Sequence, residues 1–200
     1  MFLAALVLAI AATTGTCAEV PLFARFAAEA PELRAYTVPL ETAVAVHKLL
    51  TFHVRLSGSV SYDGPGGVTL RMDRVPAEDR ALFAHIGSPR TWPRDYQLQL
   101  LGTSTANGQA IYHIAGTPRE SSSGVERFVA DVNEDGSLIA SQWFLRGGGT
   151  IKSTLENQIV GGFILPKHQL ADIDVGGYKI HADMTYGQYL LNDAAVTAQR

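Results

Sequence analysis

Tight-turn signals recur through the second half of this chain at a spacing of about 12 residues, and the stretches between them alternate apolar with polar side chains. Ala106-Asn107-Gly108, Glu134-Asp135-Gly136 and Gly147-Gly148-Gly149 are such signals. Between and beside them, Tyr96 to Gly102, Gln109 to Gly116, Gly124 to Asn133, Leu138 to Arg146, Gly149 to Val160, Ala171 to Asp174 and Tyr178 to Tyr186 each read as a strand. Connections this short cannot hold a crossover helix, so neighbouring strands must run antiparallel, as a meander.

The first half adds a hairpin. From Tyr36 onward the period is two: Leu50, Phe52, Val54 and Leu56 alternate with Thr51, His53, Arg55 and Ser57, giving one dry and one wet face. Asp63-Gly64-Pro65-Gly66-Gly67 turns the chain, and Val68, Leu70 and Met72 resume the alternation. Two segments follow a helical period instead. Leu22 to Ala30 places Leu22, Phe23, Phe26 and Ala30 on one side before Pro31, and Pro76 to Ile86 carries Glu78 and Asp79 near its start with a Leu82, Phe83, Ile86 stripe. Gly87 to Arg94 reads as a proline-rich loop.

About nine or ten consecutive antiparallel strands exceed a flat sheet and should curl, with two short helices to cover the apolar side. The expected fold is therefore mainly β with a little α: a curved antiparallel sheet forming an incomplete barrel, with the helices as a lid. By alternation Leu98, Leu100, Tyr112, Ile114, Phe128, Ala130, Val132, Trp143, Leu145 and Ile151 line its concave face. Either they form an ordinary packed core, or, because the helices cover them only partly, they surround a hollow that takes an apolar ligand.

Phe2 to Ala12 is an uninterrupted apolar run, shorter than the ~20 residues that a spanning helix needs. Thr16-Cys17-Ala18 then offers small residues where a signal peptidase requires them, so residues 1–18 read as a signal peptide and 19–200 as one exported domain. No Lys or Arg precedes the run, which leaves the amino terminus to supply the positive charge. Thr14-Gly15-Thr16 is a poor lipobox, so loss of Cys17 with the signal is the better reading than its lipidation. The mature domain then has no cysteine, hence neither disulfide nor thiol nucleophile nor thiolate metal site. A net charge of −3, from 16 basic and 19 acidic residues without blocks, gives no footprint for nucleic acid.

Catalytic patterns are weak. His47, His53, His85, His113, His168 and His181 show no zinc-site spacing, and no cofactor is expected. No GxSxG elbow accompanies the serines, and Ser121-Ser122-Ser123 reads as a flexible loop, although residue counts alone leave a Ser-His-Asp triad open. Asp172 and Asp174 share a strand face but flank a Val175-Gly176-Gly177 turn rather than a cleft. Arg119 caps a strand end, meets a ligand headgroup or, as the favoured reading, is a solvated loop residue.

The succession AIYHIAGTPR, VERFVADVNEDGSLIASQWFLRGGGTIKSTLENQIVGGFILP and YKIHADMTYGQYLLN resembles the LolA-like group of periplasmic lipoprotein carriers and outer-membrane lipoprotein-sorting proteins. The resembling features run in order: Asp131 to Gly136, Gln142-Trp143-Phe144, a glycine turn into Thr150-Ile151, Gly162 to Pro166, and a terminal strand closing at Tyr189 and Asn192. The resemblance covers roughly residues 95 to 192 and, more loosely, the hairpin before them. It implies a hydrophobic cavity that holds the acyl chain of a lipid or lipoprotein, with Arg55 as the counterpart of the family's gating arginine. The expected protein is a non-enzymatic, periplasmic or secreted monomer that carries a lipid and meets membrane or envelope proteins transiently. The alternative is an envelope interaction module with a packed interior.

Overall fold

The computed structural model of the chain describes residues 33–63, 68–72, 92–120 and 124–191. The two helical segments, the signal peptide, Cys17 and Asn192 lie outside the described residues. Eleven strands fall within them: β1 (Tyr36–His47), β2 (Thr51–Tyr62), β3 (Val68–Met72), β4 (Tyr96–Ala106), β5 (Gln109–Pro118), β6 (Val125–Asn133), β7 (Leu138–Leu145), β8 (Thr150–Val160), β9 (Phe163–Val175), β10 (Tyr178–Tyr186) and β11 (Leu190–Leu191). One helical turn, α1 (Trp92–Asp95), precedes β4.

All strands belong to one sheet in the order β3-β2-β1-β10-β9-β8-β7-β6-β5-β4, with β11 beside the start of β1. Every pairing is antiparallel. The sheet is open, with β3 and β4 at its two ends. Strands β4 to β10 form the expected meander. The N-terminal three-strand meander joins it at the far end, because β1 pairs with β10 from Leu40↔Tyr186 to His47↔Lys179.

Turn chemistry follows the residues. Asn107 and Gly108 both have positive φ, at 53° and 78°, which a two-residue hairpin turn of the right twist requires. Strand β9 is longer than its alternation suggests. Pro166 has no N–H to give the ladder, and the register slips between Glu156 and Asn157 opposite it. The sheet continues past that bulge to Phe163.

Two apolar clusters build the core on one face, here called the inner face. The first gathers Trp92, Tyr96, Ile114, Val125, Phe128, Ala130, Val132, Trp143, Leu145, Ile151 and Ile173. The second gathers Leu33, Val38, Leu40, Val60, Leu165 and Tyr189 around the opposite ends of the strands, with Tyr36 stacked on Tyr62 at 5.4 Å. Tyr189 Oη donates to the Pro166 carbonyl at 2.7 Å, and Tyr186 Oη donates to Gln169 Oε1 at 2.9 Å.

Burial pushes the phenol pKa of both tyrosines above the ordinary range, and Tyr36 nearby adds to it. The unfolded chain ionises these phenols near pH 10 while the folded chain keeps them protonated. Stability is then fully present below about pH 10 and falls as pH rises beyond it. The urea midpoint should drop between about pH 9 and about pH 11, and Tyr189→Phe should shrink that drop. An equal drop in wild type and variant would refute this account.

Candidate functional site

Cross-strand register carries the inner face over nine strands in two adjacent rows. The first row reads Leu98, Gly116, Phe128, Trp143, Ile151, Ile173, Ile180, Val46 and Phe52 from β4 to β2. The second reads Leu100, Ile114, Ala130, Ser141, Ser153, Ala171, Ala182, Val44 and Val54. Bulk is concentrated in the first row. In the second, five successive strands from β6 to β10 contribute only alanine or serine, all buried.

The ten apolar residues expected on this face all lie in the first cluster or pack against it, Ala130 among its buried members. Ile114, Phe128, Val132 and Trp143 have no exposure, Leu145 and Ile151 are buried, and Leu98, Leu100 and Tyr112 are partly buried. At this end the space between them is filled by rings. Trp92 lies 4.5 Å from Phe128 and 5.7 Å from Trp143, and Phe128 lies 4.4 Å from Trp143. Tyr96 closes the group edge-on to both Phe128 and Trp143.

Trp92 is the residue that sequence reasoning missed. It stands in a proline-rich stretch that reads as loop, yet it is fully buried at the centre of the aromatic group. A tryptophan inside a loop is the only signal that the sequence offered. Arg119 belongs to the same corner: its backbone N–H donates to the Asp95 carbonyl at 3.0 Å, so it ties β5 to α1.

Within the small-residue row runs a short polar track. Trp143 Nε1 donates to Ser141 Oγ at 2.9 Å, and Ser141 Oγ lies 2.9 Å from Ser153 Oγ, both serines being buried. Thr42, on β1 two residues before Val44 of this row and opposite Met184, is 4% exposed, and its hydroxyl has no hydrogen-bond partner among the described residues. A buried hydroxyl left unsatisfied costs about 1–3 kcal/mol, so this position gains from any partner that reaches it.

Arg55 is not part of this face. It pairs with Ala43, in the row Arg55, Ala43, Asp183, Leu170, Thr154, Ala140 and Asp131 on the opposite side, and it is exposed. The strand period forces this: Phe52 and Val54 face the apolar side, so His53 and Arg55 face away. Arg55 therefore stands on the face opposite the apolar residues with which the resemblance would group it.

The outer face is polar and, among the described residues, holds three His–Asp pairs. His113 Nδ1 lies 2.6 Å from Asp131 Oδ1, His168 Nε2 2.6 Å from Asp183 Oδ1, and His181 Nδ1 2.8 Å from Asp172 Oδ1. Asp172 and Asp131 help line a shallow depression of about 390 Å³ over β6 to β10, with Lys152 at its middle. Among the described residues no group of three or more His, Cys, Asp or Glu could hold a metal ion.

Ser104 Oγ lies 2.9 Å from His113 Nε2, which completes a Ser-His-Asp contact sequence with Asp131. Its surroundings do not suit acyl transfer. The His113 and Asp131 side chains are 38% and 43% exposed, and Ser104 sits on a regular strand rather than on a strand-to-helix elbow. Water, rather than fixed donors in a dry site, would surround an oxyanion there.

In sequence the chain matches no family model and no curated protein. In structure it is similar to a DUF1329 family protein from Desulfovibrio piger, at a TM-score of 0.62 and 12% identity over 90% of this chain and 94% of that one. It is also similar to a LolA superfamily protein from Nitrosomonas europaea, at 0.54 and 13% identity over 90% and 95%. A third similar structure is a domain from Vibrio parahaemolyticus named for outer membrane lipoprotein sorting, at 0.56 and 11% identity over 84% and 89%. These likenesses rest on the course of the backbone, and the open antiparallel half-barrel of this chain is the LolA-like fold.

Proposed function

We propose that this chain is an extracytoplasmic carrier that binds the acyl chain of a lipid or lipoprotein on its inner face, without chemistry. The observation that carries the reading is the buried row of small side chains from Ala130 to Ala182, with the unpartnered Thr42 hydroxyl beside it. Small residues between two bulky clusters leave depth in the middle of an apolar face, where an extended hydrocarbon lies at the least cost in displaced side chains. Each buried methylene contributes ~0.8 kcal/mol, so a ten-carbon chain supplies on the order of 8 kcal/mol before ordering costs are subtracted. That suits reversible carriage. A carbonyl in the cargo, at an ester or amide, can accept a hydrogen bond from the Thr42 hydroxyl and remove its penalty.

The fold shared with a lipoprotein-sorting domain and a LolA superfamily protein supports the same reading. Export follows from the Met1 to Ala18 reading and is part of the proposal. The expected result is that purified protein takes up a fluorescent fatty-acyl probe, that unlabelled fatty acid displaces it, and that native mass spectrometry detects the complex. Ala171→Phe, which fills the row, should weaken the probe by about ten-fold or more while the chain stays folded. An inert wild-type protein in both assays would sink the proposal. It would favour the packed interaction module, a reading that the ring packing around Phe128 and Trp143 already supports at one end of the face.

A further inference from the structure

We infer that the tip of the β1–β2 hairpin is a docking element for a membrane surface bearing anionic lipids. Leu49 and Leu50 sit in the turn between the two strands, 90% and 67% exposed. Phe52 and Val54, next along β2, are 60% and 41% exposed. The bulky first row of the inner face ends at Phe52. The apolar surface therefore runs from the buried cluster out to the turn without a polar break, and at its outer end four large apolar side chains stand in solvent, where singly scattered ones would need no explanation.

Charge selects the occupant. From Thr42 to Tyr62 the chain has no carboxylate and carries Lys48, Arg55, His47 and His53, within a protein whose net charge is −3. Lys179, opposite His47 on β10, adds a cation to the same end. Lys48 Nζ is held there, donating to Tyr178 Oη at 3.1 Å and lying 4.2 Å from the ring centroid, while Tyr178 is itself 40% exposed. On β9, Asp174 stands opposite Lys179 and Asp172 opposite His181, to which it is bound, so among the described residues Lys48 and Arg55 are the cations here without a carboxylate as cross-strand neighbour. Leucines at the extreme tip, aromatic rings behind them and ammonium groups at the same level match the apolar, interfacial and headgroup layers of a bilayer.

A partner strand suits this surface less. Edge pairing would use the outer side of β2, and it would leave Leu49 and Leu50 in the turn uncovered. Among the described residues the far side of β2 is paired only from Gly58 to Tyr62, by β3, and amides left without a strand partner are not carried into hydrocarbon, so the contact is interfacial and shallow. This inference stands independently of what the inner face binds.

The test uses the full chain and vesicles of phosphatidylcholine alone or mixed with phosphatidylglycerol. Wild type should co-sediment with the mixed vesicles and be released by salt, whereas Leu49→Asp/Leu50→Asp should weaken binding by about ten-fold or more. Lys48→Glu/Lys179→Glu should remove the preference for anionic lipid. A Leu49→Trp variant should shift its emission to the blue only with vesicles, against Trp92 and Trp143, which are already buried. Circular dichroism of each variant should match wild type, since these side chains are exposed. Three results would each overturn the inference: no sedimentation of wild type at low salt, retained binding by the aspartate pair, or a wild-type dimer that the aspartate pair dissolves. Uptake of the acyl probe, measured on the same variants, should be unchanged, which separates failure of docking from failure of the carrier reading.

Discussion

Gly116→Ala is expected to destabilise this protein by about 3 kcal/mol, although adding a methyl to a strand glycine ordinarily helps or does nothing. A Cβ built on Gly116 would overlap Phe128 Cε1 and Cζ and come within 2.9 Å of Cδ1. Gly116 and Phe128 are direct cross-strand partners, and the ring lies over the glycine. It has nowhere to retreat: Phe128 has no exposure and is held between Trp92 at 4.5 Å and Trp143 at 4.4 Å. The added methyl therefore either expels a fully buried ring or parts β5 from β6. At about 2–4 °C per kcal/mol for a domain of this size, the thermal midpoint should fall by on the order of 10 °C. The double variant Gly116→Ala/Phe128→Leu gives the specific check. If the clash is the cause, the two changes couple and the pair is much less destabilised than the sum of the singles. Additive losses would mean that the glycine matters for its backbone alone.

The sheet is legible in the sequence because its two signals, alternation and turn residues, are local. Asn107-Gly108 and Gly176-Gly177 turn the chain where their composition says, and the strand stretches on either side of them are strands in the structure. What is not local is lost. The pairing of β1 with β10 joins residues more than a hundred positions apart, and no periodicity encodes it. The three His–Asp pairs depend on register between strands, so they emerge only once the partners are known. The first part of β9 disappears from the pattern because Pro166 and the bulge interrupt the period.

Arg55 makes the opposite point. Its own strand period sets it with Thr51, His53 and Ser57 on the wet face, and the structure keeps it there. The family resemblance made it the counterpart of a gating arginine, although alternation alone already set it on the polar side of its strand. The ten apolar positions read from alternation share one cluster, because a face is a local property while the shape of the space above it is not. Whether that face is floor or filled core depended on Trp92, whose place no strand pattern could supply.

Trp143→Ala decides between those two roles, and we expect a loss of about 3–5 kcal/mol. As one wall of an existing hollow, Trp143 would lose little when shortened, since the space beyond it would already be open and the cavity term small. The structure makes it a keystone. Its side chain has no exposure, its ring meets Trp92, Tyr96 and Phe128 within 5.9 Å, and its Nε1 donates to Ser141 Oγ at 2.9 Å. Truncation removes the ring, leaves a void that the neighbouring strands cannot close, and takes a donor from the buried Ser141–Ser153 pair. Trp143→Phe separates the terms: it keeps most of the packing and loses the N–H, so its cost should be about 1–2 kcal/mol. Urea unfolding followed by circular dichroism measures both. An alanine variant within about 1 kcal/mol of wild type, with an unchanged dependence on denaturant, would show that this end of the face is a cavity wall after all.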